Sequence, residues 1–301
     1  MKHSVRQSVG DRVFFTVNYI ILILALIIVA YPLLNMLASS FSDPRAVTSG
    51  RVYLWPVDFS LMGYTTIFKD KSVWTGYANT IYYTIVGTFL STLLTLLAAY
   101  PLSRRDFKPG NVCMMLFTFT MFFGGGLIPG YLLVNQLGLI NTRWSMILPG
   151  ALSVYNIILA RTFIRSNIPV ELMEATQIDG CSDFRFFISF VLPLSKAIIA
   201  VVALFYGVGV WNSYFNALIY LNDKALYPLQ MVLREILVQN KIDASVLAQG
   251  TVDVKDIAVK QSLYALLKYS LIVVASVPVL CVYPFIQKYF VKGVMIGSIK
   301  G

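Results

Sequence analysis

Long apolar runs cut by short polar breaks set the plan of this chain. Charge is absent from six blocks, 13–42, 72–103, 109–142, 144–160, 197–222 and 269–287. Each block, with its flanks, holds enough apolar sequence to cross a hydrocarbon core of about 30 Å as a helix of about 20 residues. The pattern predicts an all-α integral membrane protein with six transmembrane helices, near 13–38, 79–101, 111–128, 144–163, 198–221 and 262–284. The stretches between them at 41–77 and 222–261 are too polar and too evenly charged to insert, and read as loops on the outer side. The whole of 1–301 reads as one transmembrane domain.

The polar break between the fourth and fifth spans differs from the others. Over 166–193 it carries Glu171, Glu174, Asp179, Asp183 and Arg185 in the sequence PVELMEATQIDGCSDFRFFISFVLP from Pro169 to Pro193. Ser166 or Asn167 can cap a short helix, Pro169 suits its first turn, and acids near that end complement the helix dipole. Gly180 offers a left-handed exit. Ser182 and Asp183 can then cap a second helix that runs to the break at Pro193. A helix–glycine–helix hairpin between two spans is a docking surface rather than a linker.

The formal charge of +10 points toward anionic partners. Its placement excludes nucleic acid, because the basic residues sit at span ends and not on one face. Lys2, Arg6 and Arg12 precede the first span; Arg104, Arg105 and Lys108 follow the second; Arg161, Arg165, Arg185 and Lys196 lie between the fourth and fifth; Lys288, Lys292 and Lys300 follow the sixth. Positive charge marks the cytoplasmic side, so both termini and the polar hairpin are expected in the cytosol. The first span is too long for a signal peptide and reads as an uncleaved anchor. The chain is 57% hydrophobic and 13% charged, about half the charged fraction of a soluble protein.

Chemistry is thinly supplied. His3 is the sole histidine, which leaves no triad, metal centre or histidine acid–base pair to build. Three cysteines, Cys113, Cys181 and Cys281, form no disulfide framework. The charge-free blocks hold no acid for proton coupling, so an energy source must lie outside the chain. Gly124, Gly125, Gly126, Pro129 and Gly130 crowd the end of the third span. They read either as a broken helix beside a watery path or simply as the end of the span. Tyr155 and Asn156 fall within the fourth span; Tyr206, Trp211, Asn212, Tyr214 and Asn216 fall within the fifth. Asn212 and Asn216, four apart, share a helix face, and Trp211 and Phe215 share the next. Taken singly, these residues suit hydrogen bonding to the helices of a partner subunit; as a group, amides beside aromatic rings suit a sugar.

Glu174-Ala175-Thr176, three residues, Gly180, nine residues, then Phe190-Val191-Leu192-Pro193 resembles the EAA loop of ABC-importer membrane subunits. Thr176 stands where the pattern has a second alanine, and Phe190 where it has isoleucine. The Trp211-Asn212 pair, the six-span layout and the tail Gln287-Lys288-Tyr289-Phe290-Val291-Lys292-Gly293 extend the resemblance to sugar-importer permeases of the MalG type, in their YtcP/LplC-like branch.

The resemblance implies a cell-membrane permease that is not itself an enzyme, importing a carbohydrate, most often an oligosaccharide. It implies a second, non-identical permease, two ATPase subunits that bind ATP and magnesium, an extracytoplasmic solute-binding protein, and no cofactor in this chain. It assigns ATPase coupling to Glu174, Ala175, Thr176, Asp179, Gly180, Leu192 and Pro193. Tyr155, Asn156, Tyr206, Trp211, Asn212, Tyr214 and Asn216 are the candidates for the solute path. Two other classes compete. A membrane receptor or assembly scaffold needs no ATPase, and an ion-driven transporter needs intramembrane acids that this chain lacks.

Overall fold

The computed structural model describes residues 8–247 and 254–296, and those residues form helices and turns without a strand. We number the principal helices α1 (Val9–Ser40), α2 (Lys71–Ser103), α3 (Gly110–Phe122), α4 (Leu127–Gln136), α5 (Val154–Asn167), α6 (Val170–Ile178), α7 (Asp183–Phe186), α8 (Lys196–Trp211), α9 (Phe215–Tyr220), α10 (Leu229–Leu247) and α11 (Val254–Ile296). The described residues fall into two compact units, one within Met1–Asp70 and Ile236–Val274, the other within Lys71–Glu235 and Ala275–Gly301.

Among the described residues three helical stretches are long and apolar enough to cross a membrane: Val9–Ser40, Lys71–Ser103 and Ala258–Pro284. Two further candidates are bent pairs, α3 with α4 at 112° and Asp183–Leu194 with α8 at 81°. The expected third span at 111–128 therefore stops at Phe122, and the chain turns through the glycine cluster before α4 starts. The expected fourth span at 144–163 is helical only from Val154, after a single 3-10 turn at Arg143–Met146. The expected fifth, 198–221, ends its helix at Trp211 and resumes at Phe215. Asn212 and Asn216 thus lie on different helices, and the shared face expected for them, and for Trp211 and Phe215, is absent. Asn212 caps α8 and turns its amide back onto the Val208 carbonyl at 2.9 Å.

In the first unit α1 starts from a capping box. The Ser8 hydroxyl accepts from the Asp11 N–H at 3.1 Å, and the Ser8 N–H donates to the Asp11 carboxylate at 2.9 Å. Only Ala38, Ser39 and Ser40, at the other end, are buried. There the 41–70 segment folds back: Asn35 donates to the carbonyls of Val52 and Tyr53, both at 2.9 Å, and the Tyr64 hydroxyl donates to Ser40 at 2.7 Å.

In the second unit α2 is the axis, packed against α5 and α8. One side of its first half anchors the start of α10 and the turn before it. Asn79 donates to the carbonyls of Ala225 (2.7 Å) and Tyr227 (3.1 Å), Tyr83 to that of Leu226 (2.8 Å), and Thr80 accepts from the Leu229 N–H (2.7 Å). Further along, the Tyr206 hydroxyl lies 2.7 Å from that of Thr95 and accepts from the Ser153 N–H at 2.9 Å, joining α8, α2 and the start of α5.

Candidate functional site

The hairpin begins where α5 runs out of helix. Asn167 turns its amide back to the Phe163 carbonyl at 2.9 Å, and Pro169, with extended backbone, opens α6 without a side-chain cap. The caps expected from Ser166 and Asn167 are therefore spent on the end of α5. Gly180 takes a φ of +73°, the left-handed turn that favours glycine, and the Cys181 N–H closes it on the Thr176 carbonyl at 2.9 Å. Ser182 then caps α7 by accepting from the Arg185 N–H at 3.4 Å. The second arm continues through one π-helical turn, Phe187–Val191, and Leu192–Leu194 before the bend into α8.

Spacing decides which face of α6 looks outward. Glu171, Glu174, Ala175 and Ile178 recur at helical intervals and are exposed, Ile178 to 87%. On the other side Thr176 is buried, and Leu172 and Met173 pack on a core built from Leu96 and Ala99 of α2, Ala160 and Ile164 of α5, Phe186, Phe187 and Val191 of the second arm, and Val202 of α8. The hairpin is thus seated on three helices of its unit while one edge of α6 stays free. Ile178 on that edge lies among the exposed carboxylates of Glu171, Glu174 and Asp179. Asp179 and Gly180 form the exposed tip, Leu192 packs on the same core, and Pro193 is exposed.

The residues expected along a solute path are less united. Tyr206 and Trp211 are buried; the Trp211 indole donates to the Ala275 carbonyl at 3.0 Å, so both rings are fixed by hydrogen bonds within the unit. Asn156 is buried in α5, and the exposed Tyr155 ring meets Phe205 at 6.3 Å. Tyr214 is exposed, with the Arg234 guanidinium 5.9 Å from its ring centre, and Gln230 reaches the Asn212 amide oxygen at 3.5 Å. Asn216 is half-buried on α9. Seen this way, Tyr206 and Trp211 are framework and Tyr155, Asn212 and Tyr214 are the accessible members. Among the described residues no group of three or more histidine, cysteine, aspartate and glutamate side chains could hold a metal ion.

Sequence reasoning missed the contacts at the foot of α2. Arg104, read there only as a marker of membrane side, places its guanidinium between Asp106 (Nε to Oδ1, 2.9 Å) and Asp183, with the Tyr100 hydroxyl 3.5 Å away. The hydrogen bonds from Arg104 hold the Asp106 carboxyl below its ordinary range. The Tyr100 ring packs at a tilt of 37° against Phe187, with centroids 5.2 Å apart. Partners 79 residues apart leave no local signal.

No family model matches the chain. Protein LplC of Bacillus subtilis (strain 168) is 38% identical over 299 residues, covering 99% of each chain. The polygalacturonan/rhamnogalacturonan transport system permease protein YtcP of the same organism is 40% identical over 294 residues, 97% of this chain and 99% of the relative. This chain belongs to the ABC sugar-importer permeases. In a solved bacterial ABC transporter involved in the import of the acidic polysaccharide alginate, a chain 33% identical superposes with a TM-score of 0.81 over 95% of the permease and 100% of that chain. The permease is accordingly an integral membrane protein and a transport subunit, and the receptor or scaffold alternative falls.

Proposed function

We propose that this permease forms half of the translocation path of an ATP-driven, binding-protein-dependent carbohydrate importer, and that the hairpin at 169–193 couples it to ATPase subunits. The free edge of α6 carries the reading: Glu174, Ala175 and Ile178 are exposed while the hairpin behind them is seated on α2, α5 and α8. The small Ala175 permits close approach, Glu174 offers a carboxylate to a basic group on the ATPase, and Asp179 and Gly180 turn the chain, while Thr176, expected at the same surface, is buried on the inner side of α6 and seats the helix. Leu192 and Pro193 then lead into α8, so a push on α6 becomes a displacement of a span. The rest of the assembly is a second, non-identical permease, two ATPase subunits that bind ATP and magnesium, and an extracytoplasmic binding protein. The whole of 1–301 serves as the permease domain with six passes, and the basic residues at span ends support both termini in the cytosol.

An oligosaccharide is the solute class favoured by the polysaccharide systems named for the YtcP relative and the alginate transporter. Tyr155, Asn156, Asn212, Tyr214 and Asn216, with Tyr206 and Trp211 behind them, are the proposed path. The test is gentle purification of the permease from its native membrane, with Glu174→Arg and Gly180→Val in parallel. A second permease and a Walker-motif ATPase should copurify in stoichiometric amount, and both variants should lose uptake of labelled oligosaccharide. Recovery of the chain alone, or wild-type uptake by both variants, would end the reading.

A further inference from the structure

We propose that Arg104 is a positioning residue for coupling, tying the end of α2 to the second arm of the hairpin so that motion of the arm is passed to α2 as well as to α8. The inference rests on the hairpin being the coupling element. Arg104 lies one residue beyond α2, yet its side chain is only 12% exposed. Its planar fork is divided. Asp106, on the turn that follows, takes the Nε edge, and Asp183, the first residue of α7, takes Nη1. Holding one edge of a guanidinium fixes the direction of the other, so Asp106 aims Arg104 at the arm. A second link runs beside the first: the Tyr100 hydroxyl, one turn back in α2, lies 3.5 Å from both Arg104 Nη1 and the Asp183 carbonyl.

Asp183 is 66% exposed, so burial does not force it into the pair. The same residues line an open cleft of about 450 Å3 between the foot of α2 and the arm, with Leu97, Phe184 and Phe187 as its apolar walls. Across that gap apolar contacts alone resist compression but not sliding. A charge-assisted, directional tie resists both.

The test uses the complete importer in proteoliposomes, with the ATPase subunits and solute-loaded binding protein, and reads solute moved per ATP hydrolysed. Arg104→Gln and Asp183→Asn should each lower that ratio about fivefold or more while subunit stoichiometry is unchanged. Asp183→Glu should restore it. Arg104→Lys should fall between, because a point charge cannot hold two carboxylates in a fixed geometry. Wild-type ratios in Asp183→Asn would overturn the tie, and this variant decides the matter even if Arg104→Gln does not assemble. Gly180→Val distinguishes the two failures. If it uncouples and Asp183→Asn does not, the tie is wrong and the hairpin reading stands; if neither uncouples, both fall.

Discussion

Two helices of nearly equal length, α1 with 32 residues and α2 with 33, have opposite fates. The most apolar window of α1 buries none of its residues within the chain, whereas that of α2 buries 39%. The more apolar helix is the one left bare. α1 is aliphatic throughout 20–30, while the buried positions of α2 include Gly76, Asn79, Thr80, Gly87, Ser91, Thr95 and Ala99. Lipid tails satisfy leucine as well as another helix does, so apolarity gives no reason to pack. Small residues let backbones approach, and hydroxyls and amides find partners across helices. In this permease the small and polar residues mark the core.

The comparison breaks first at Gly76. A Cβ there would stand 3.1 Å from the Leu229 Cα, so Gly76→Val must displace the start of α10. The expected cost is about 3 kcal/mol, read as a fall in melting temperature in detergent. The same bulk added to α1 by Ala25→Val, at an exposed position, should change stability by no more than about 0.5 kcal/mol. Asn79→Ala comes next. It strips the donor from the carbonyls of Ala225 and Tyr227, at about 2 kcal/mol, while an Asn18→Ala change on the exposed side of α1 should be silent. Tyr206→Phe, which removes the hydroxyl shared by Thr95 and Ser153, should cost about 1 kcal/mol.

The smallest effect lies at the foot of α2. The Asp106 carboxyl titrates below its ordinary range because of hydrogen bonds from Arg104, so its contribution is complete above the unfolded carboxylate value and is lost only as pH falls through the lower folded one. The stability difference between the wild type and Asp106→Asn should be flat from pH 8 down to about 5 and shrink only below about 4. A difference that changes between pH 6 and 8 would sink that assignment.

What the sequence makes legible follows the same division. Long charge-free blocks announce α1, α2 and the 258–284 part of α11 because membrane-length apolarity is a one-dimensional property. The turn at Gly180 and the cap at Ser182 are legible because each acts within five residues. The breaks at 123–126 and 212–214 are harder to read. Glycines and amides advertise a disturbance without giving its angle, and Asn212 and Asn216 were separated by such a break. Least legible are Arg104 with Asp183 and Asn79 with Ala225, where the partner is chosen by the packing of α2 and not by neighbours in sequence.

The bent pair α3 and α4 makes bilayer thickness a variable in its own right. With 13 and 10 residues, its halves are about 20 Å and 15 Å long, each shorter than a hydrocarbon core of about 30 Å. α1, at about 48 Å, has length to spare and meets a thicker bilayer by tilting less. Lengthening the lipid chains is therefore expected to strain the broken pair while α1 still fits, and shortening them to relieve it. Reconstitution across a series of acyl-chain lengths would load one element of this permease selectively, without changing a residue.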